Sequence, residues 1–244
     1  MARHVLASTD STNAHGLRLA ATLNGPAWFL GHEQTAGKGR RARAWASPRG
    51  NFHATLILHP AEPAAEVALR SFAAALALRE ALVALTGLPH AFTLKWPNDV
   101  LLNCGKVAGI LLESQGGLGG HIAHLAIGIG VNLIAAPDPA MIEPGATPPV
   151  TLLQETGLRI TPEHLLAHLG PAYAAWEHRF RAEGFAPLRA EWLAHAARLG
   201  ETITARTGTA TRQGRFDTID LTGALILSTS QGRQAIPAAE VFFP

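Results

Sequence analysis

Apolar and polar positions alternate in two rhythms along the chain. Residues 14–23 carry an apolar-periodic run, with Ser11, Thr12 and Asn13 suited to an N-cap and Asn24-Gly25 to a C-cap, which predicts a helix. WFLGHEQ (28–34) and NFHATLILHP (51–60) read as strands, the second stopped by Pro60. The Ala/Leu-rich stretch 64–86 predicts one long helix ending at Gly87. FTLKW (92–96), VLL (100–102), KVAGILLES (106–114) and HIAHLAIGIGVNL (121–133) follow as strands. Short turns at 97–99, 103–105 and 116–120 join them, which requires an antiparallel or mixed sheet. The fold class is therefore α+β, with helices packed on one sheet. Five prolines mark 135–149 as a loop, and helices are expected at 150–157, 162–183 and 185–197. From Gly200 the texture changes to short β-rich runs between glycines, which predicts a small SH3-like barrel docked on the main domain. The expected division is 1–197 and 198–244.

Composition narrows the class. The chain has 244 residues, 48% hydrophobic and 16% charged, enough to bury a sizeable core. A net charge of +2 is too mild to announce a nucleic-acid binder, so local charge carries more weight than the total. Cys104 is the one cysteine, which excludes an internal disulfide and favours a reducing compartment. Glu66, Arg70, Arg79 and Glu80 interrupt 64–86, which argues against a membrane span there. No signal peptide is evident, and a soluble, cytoplasmic protein is expected.

The local charge sits in EQTAGKGRRARAW (33–45), where Lys38, Arg40, Arg41 and Arg43 interleave with Gly37 and Gly39. Glycines let backbone N–H groups approach phosphate oxygens while the cations compensate their charge. The spacing fails the Walker A pattern, and Gly128-Ile-Gly130-Val-Asn132 lacks the third glycine of a dinucleotide fingerprint. From the loop alone, a nucleotide-phosphate site and a solvated basic loop with weak nucleic-acid contact both stand. Lys95 alternates with Leu94 and Trp96, so it faces away from them, and Lys106 begins the return strand at the same end of the sheet. Gly128 and Gly130, two apart, bare one strand face, with Asn132 on the same side. His164 and His168 are spaced for a shared metal, but no glutamate follows the H-E-x-x-H pattern and no third ligand is evident. No metal ligand is therefore assigned.

Five motifs in order resemble the biotin–protein ligases, also called biotin–[acetyl-CoA-carboxylase] ligases. They are Ser11-Thr12-Asn13, the stretch from Gln34 through Gly37-Lys38-Gly39-Arg40 and Arg43 to Trp45, Lys95-Trp96-Pro97-Asn98-Asp99, Lys106 with Gly109-Ile110 and Glu113, and Gly128-Ile-Gly130-Val-Asn132. The resemblance spans nearly the whole chain. It implies a class II synthetase-like catalytic domain with a C-terminal SH3-like barrel. It also implies a two-step reaction: biotin and ATP, with Mg2+, give biotinoyl-AMP, and the acyl group passes to a lysine of a biotin carboxyl carrier domain of acetyl-CoA carboxylase or a related carboxylase. Carried over, Ser11, Thr12, Asn13 and Gln34 face the ureido ring. Lys38, Gly39 and Arg40 line biotin and adenylate, with Gly128 and Gly130 beneath the biotin. Arg43 takes the phosphates, Trp45 covers the adenine, and Asn132 contacts the nucleotide. Lys95 is the chief catalytic cation, with Arg40 and Lys106 as further catalytic candidates, and Asp99 or Glu113 as candidates to assist the magnesium.

Lys38 stands where arginine is commoner in the family, and Ala42 where glycine is common, so a slightly stiffer loop is expected. The Ser-Thr-Asn motif begins at residue 11, leaving no room ahead of it for a helix-turn-helix domain, so a ligase without a repressor role is expected. A homodimer stays open. The rival within the fold is a lipoate ligase or lipoyl/octanoyl transferase. The rival outside it is a nucleic-acid-binding module using 38–43, which would need a second basic element and stacking aromatics that the sequence does not offer.

Overall fold

A computed structural model describes all residues except 118, 120, 139–141 and 244. The expected turn at 116–120 and loop at 135–149 therefore lie partly outside the described residues. The first unit holds strands β1 (Ala2–Leu6), β2 (Ala27–Gly31), β3 (Phe52–Leu58), β4 (Phe92–Lys95), β5 (Asp99–Leu102), β6 (Gly105–Gly116) and β7 (Ile122–Val131). Its helices are α1 (Thr12–Leu19, extended by a 3-10 turn at Ala20–Thr22), α2 (Ala64–Ala68), α3 (Arg70–Thr86), α4 (Leu152–Thr156), α5 (Pro162–Glu183) and α6 (Phe185–Ala194). Among the described residues the strands form one seven-stranded sheet in the order β1-β2-β3-β7-β6-β5-β4. β1 and β2 are parallel and the other neighbours antiparallel, so the sheet is mixed, as the short turns require.

The two faces of this sheet have different work. Trp28, Leu30, Leu56, Leu58, Ile127 and Ile129 point to one side and join the helices in a core that continues into the C-terminal unit. Phe29, Ile57 and Ala126 point to the other side, where a smaller cluster with Ala20 and Ala27 seats α1. The remainder of that second face carries Gly109, Gly128, Gly130 and Lys95 and is left for other chemistry.

The C-terminal unit is a five-stranded antiparallel sheet of β8 (Thr202–Arg206), β9 (Thr211–Ile219), β10 (Leu225–Thr229), β11 (Gly232–Ile236) and β12 (Glu240–Phe242), in the order β11-β10-β9-β8-β12. It is docked firmly. The Trp96 indole donates to Gly223 O at 3.0 Å, and Arg189 of α6 bonds Ile219 O and Thr218 Oγ1. No helix among the described residues is long and apolar enough to cross a membrane.

Two elements differ from the sequence expectation. The helix expected over 64–86 is two helices that break at Leu69, beside a fully buried Arg70. Its close at Gly87 in a left-handed conformation (φ 70) is as expected. β1 went unpredicted because its side chains are exposed or half-buried, so no apolar alternation marks it; backbone pairing to β2 holds it.

Arg70 has no side-chain exposure and binds Glu177 at 3.0 Å and Glu62 at 2.8 Å, while Tyr173 also donates to Glu177. This ties α3 to α5 through charge in an otherwise apolar layer. Removing one partner of a buried pair strands the other charge. Arg70→Ala is therefore expected to lose about 3–5 kcal/mol of unfolding free energy in urea denaturation, and a loss under 1 kcal/mol would show the cluster to be solvated.

Candidate functional site

Strand register builds the site. Gly31 pairs with His53, His53 with Gly130, Gly130 with Gly109, Gly109 with Asp99, and Asp99 with Lys95. Paired residues point to the same side of a sheet. These six therefore form one row across it, on the face that α1 only partly covers. The middle of the row has no side chains, because Gly109 and Gly130 stand opposite one another. The Trp45 ring lies on this bare floor: a Cβ on Gly130 would come within 2.6 Å of it, and one on Gly109 within 3.3 Å. Trp45 Nε1 is buried without a hydrogen-bond partner.

Lys95 and Lys106 close one end of the row. Lys95 lies on the face opposite Leu94 and Trp96, as alternation predicts, but is only 7% exposed, which alternation does not foresee. Its ammonium donates to Thr147 Oγ1 at 2.7 Å and lies 4.8 Å from the centre of the Phe243 ring. Burial pushes the Lys95 ammonium pKa down; Asp99 opposes this and Lys106 adds to it. Lys106 Nζ sits 2.7 Å from Asp99 Oδ1 in ion-pair contact, off the direction of a hydrogen bond, and 5.6 Å from the Trp45 ring.

The cationic loop folds over the row as a small hairpin. Trp45 N–H donates to Gly37 O at 2.9 Å, Gly39 N–H to Arg43 O at 2.8 Å, and Lys38 and Ala44 bridge. Arg40 reaches inward to Asn98 Oδ1 and Ala239 O, where burial lowers its guanidinium pKa. Arg41 and Arg43 face outward to carboxylates. Both pair with Glu240 of β12, and Arg43 also meets Glu143, which binds Arg206. Lys38 is exposed.

Beside the glycine floor lies a buried polar cluster. Ser11, Thr12 and Asn13 are each no more than 5% exposed. Ser11 holds the N-cap position of α1 but makes no side-chain capping bond, so its capping role is not realised. Gln34 Oε1 accepts from Thr12 N–H at 2.8 Å, and Gln34 Nε2 donates to Ser47 Oγ at 2.8 Å. Asn13 lies against Gly128, where a Cβ would strike its amide, and donates to Glu113 Oε2 at 2.7 Å. Thr55 of β3 contacts both Thr12 and Asn13.

The structure thus gathers Ser11, Thr12, Asn13, Gln34, Gly39, Arg40, Trp45, Lys95, Lys106, Gly128 and Gly130 around one face. Arg43 sits at its rim on the carboxylates. Asn132 is 2% exposed and braces the next loop, its Nδ2 donating to Val150 O at 3.2 Å. Sequence reasoning missed Thr55, Thr147, Glu143, Glu240 and Phe243. Thr55 carried a signal, since a polar residue at an inward strand position needs a partner. The others lie on loops or on the second unit, without a local pattern. His164 and His168 stand edge to face at 5.0 Å, and no group of three metal-ligating side chains occurs among the described residues.

Comparison with known proteins bears on what this face accommodates. The model of the Biotin/lipoate A/B protein ligase family matches residues 5–132, and that of the Biotin protein ligase C terminal domain matches 199–243. The biotin--[acetyl-CoA-carboxylase] ligase of Paracoccus denitrificans is 57% identical over 98% of this chain and 99% of that protein. The bifunctional ligase/repressor BirA of Bacillus subtilis is 33% identical over 97% of this chain and 71% of that protein. The structure of the Aquifex aeolicus biotin protein ligase in complex with biotin and ATP superposes with a TM-score of 0.83 at 25% identity, covering 98% of this chain and 97% of that one.

The carboxylates that hold the loop generate a prediction. Burial raises the Glu240 carboxyl pKa, but Arg43 and Arg41 more than offset it and hold the group below its ordinary value. A depressed carboxyl keeps its pairing at neutral pH and loses it only as the pH falls through that depressed value. Near neutral pH, Glu240→Gln should speed tryptic cleavage within 38–43 on the order of fivefold, the equivalent of a half-exposed pair. High salt should do the same to the wild type and little more to the variant. An unchanged cleavage rate would show that Glu240 does not restrain the loop.

Proposed function

This chain belongs to the biotin/lipoate A/B protein ligase family, and from that premise we propose that it is a biotin–[acetyl-CoA-carboxylase] ligase. It activates biotin with ATP and transfers it to a lysine on a biotin carboxyl carrier domain. The observation that carries the reading is the cross-sheet row: a floor bared by Gly109 and Gly130, with the Lys95 ammonium at one end and an arginine-rich flap above.

The chemistry follows from charge and enclosure. In the first step a biotin carboxylate oxygen attacks the α-phosphorus of ATP, forming the acyl phosphate bond as the bond to pyrophosphate breaks. An anion attacking a polyanion needs fixed positive charge at the reacting centre, and Lys95 supplies it from a rigid strand. Arg40, turned inward and buried enough to feel desolvation, neutralises the α-phosphate. Arg43 leaves its carboxylates for the outer phosphates. In the second step the carrier's lysine amine attacks the acyl carbon, AMP departs, and the amine's proton passes to solvent. Between the steps the flap excludes water from the mixed anhydride. Trp45, whose ring lies on the glycine floor, stacks on the adenine there, and Asn132 acts on this side through the loop it braces, which carries Thr147.

Magnesium is assigned to the MgATP substrate. Asp99 is engaged by Lys106 and Glu113 by Asn13, so neither carboxylate stands free to hold the ion. Biotin is favoured over lipoate by the buried cluster of Ser11, Thr12, Asn13 and Gln34. Hydroxyl and amide groups pair with a ureido ring, whereas a dithiolane offers them no hydrogen bonds.

The test is incubation with ATP, magnesium, biotin and an apo carrier domain, read by intact mass, with lipoate substituted in parallel. A mass gain of one biotin, and none with lipoate, is expected; the reverse would assign the sister activity. Lys95→Ala should lower biotin-dependent ATP–pyrophosphate exchange by roughly 10²–10³, the scale for one preorganised donor. Exchange at the wild-type rate would remove Lys95 from the chemical step.

A further inference from the structure

Proton counting in the buried cluster assigns a role to a residue outside the motifs. Thr55 sits on β3, has no exposed surface, and pairs in register with Gly128, so it shares the bare face. Its Oγ1 is 2.8 Å from Thr12 Oγ1 and 2.6 Å from Asn13 Oδ1, and Thr12 Oγ1 is in turn 3.0 Å from Gln34 Oε1. These are three contacts between oxygens, but two hydroxyls supply only two protons.

Both amide orientations are fixed by their other partners. Asn13 Nδ2 faces two acceptors, Glu113 Oε2 at 2.7 Å and Leu111 O at 3.4 Å, so the Asn13 oxygen must face Thr55. Gln34 Oε1 faces the Thr12 backbone N–H at 2.8 Å, an obligatory donor. Asn13 Oδ1 has no proton to give, so the Thr55 proton must occupy the 2.6 Å contact. The 2.8 Å contact between the two hydroxyls then takes the Thr12 proton. Only the longest contact, from Thr12 Oγ1 to Gln34 Oε1, is left without one, and Gln34 Oε1 already has its donor. Either alternative would oppose lone pairs across a shorter gap in a buried place, which is the costlier arrangement.

We propose that Thr55 is a positioning and specificity residue: by drawing the Thr12 proton toward itself, it makes Thr12 Oγ1 and Gln34 Oε1 a paired acceptor for a ligand N–H. The proposal rests on the biotin reading and deepens it. The cluster reads a ureido N–H through these two oxygens, and an N–H donor bridging them relieves the repulsion of their facing lone pairs. A ring that presents an ether oxygen at the same place restores that repulsion. Thr55 touches no reacting atom, so its effect falls on ligand recognition and not on the chemical step.

Wild type, Thr55→Val and Thr55→Ser are compared in biotin-dependent ATP–pyrophosphate exchange. The substrates are biotin and the two carbamate analogues in which one or the other ureido N–H is replaced by oxygen. The wild type should prefer biotin over one of the carbamates by about tenfold or more in KM. Thr55→Val should raise the KM for biotin about tenfold, with kcat within about twofold, and should lose most of that preference. Thr55→Ser, which keeps the hydroxyl, should retain both. An unchanged KM and preference in Thr55→Val overturn the proposal. Equal wild-type KM values for biotin and both carbamates overturn it as well, without any variant having to fold. Absence of biotin-dependent exchange in the wild type would instead overturn the biotin reading itself.

Discussion

The register of the central strands is the constraint from which the site follows. Gly109 of β6 and Gly130 of β7 stand directly opposite, with Asp99 and Lys95 continuing the row across β5 and β4. A slip of one residue in any of these pairings would turn its strand over. It would bury Lys95 among the helices and present Leu94 or Ile129 to the site. The register is held because the opposite positions, Leu94, Ile110 and Ile129, belong to the main hydrophobic core. Core packing on one face therefore fixes the geometry of the proposed catalytic row on the other, and neither face can be altered alone.

Several cations of the open face already hold polar partners, whereas Lys38 at the flap is exposed. Lys106 holds Asp99, Arg43 holds Glu240 and Glu143, and Lys95 donates to Thr147. Each pairing lowers the repulsion among cations that a phosphate chain will later relieve. The pairings of Lys106 and Arg43 also set a threshold, because an anion must outcompete a carboxylate already in place. In the proposed reaction, ATP carries enough charge to exchange with Glu143 and Glu240 at the half-exposed rim. At the buried end Lys95 has a neutral threonine as partner, which a carboxylate or α-phosphate displaces more readily.

Sequence reasoning succeeded where a local rule acts. Turn residues at 97–99 and 103–105 gave the meander of β4 to β6, glycine spacing gave the Gly128 and Gly130 side of the bare floor though not Gly109 opposite, and alternation gave the face of Lys95. It failed where the cause is distant. Glu240 is 197 residues from Arg43, and Glu143 is 100 residues from it, so no window of sequence contains both partners. β1 has no buried face to write a pattern. Thr55, a polar residue at an inward strand position, signals that it needs a partner, but not that Thr12 and Asn13 are brought against it from α1.

The C-terminal unit is part of the site and not an appendage to it. Phe243 covers the Lys95 ammonium, Ala239 O receives Arg40, and Glu240 holds the flap, all from within or beside β12. Without these contacts Lys95 would lie open to water on its ring-covered side, and the effective dielectric around it would rise. In the proposed reaction, the attraction of its charge for a developing phosphorane would weaken in proportion. Docking is fixed from two directions, by Trp96 bonding to Gly223 and by Arg189 bonding to the end of β9. Trp96 is the immediate neighbour of Lys95 on the opposite face of the chain. One dipeptide therefore anchors the second unit with its indole and presents to that unit's last strand the cation that the strand encloses.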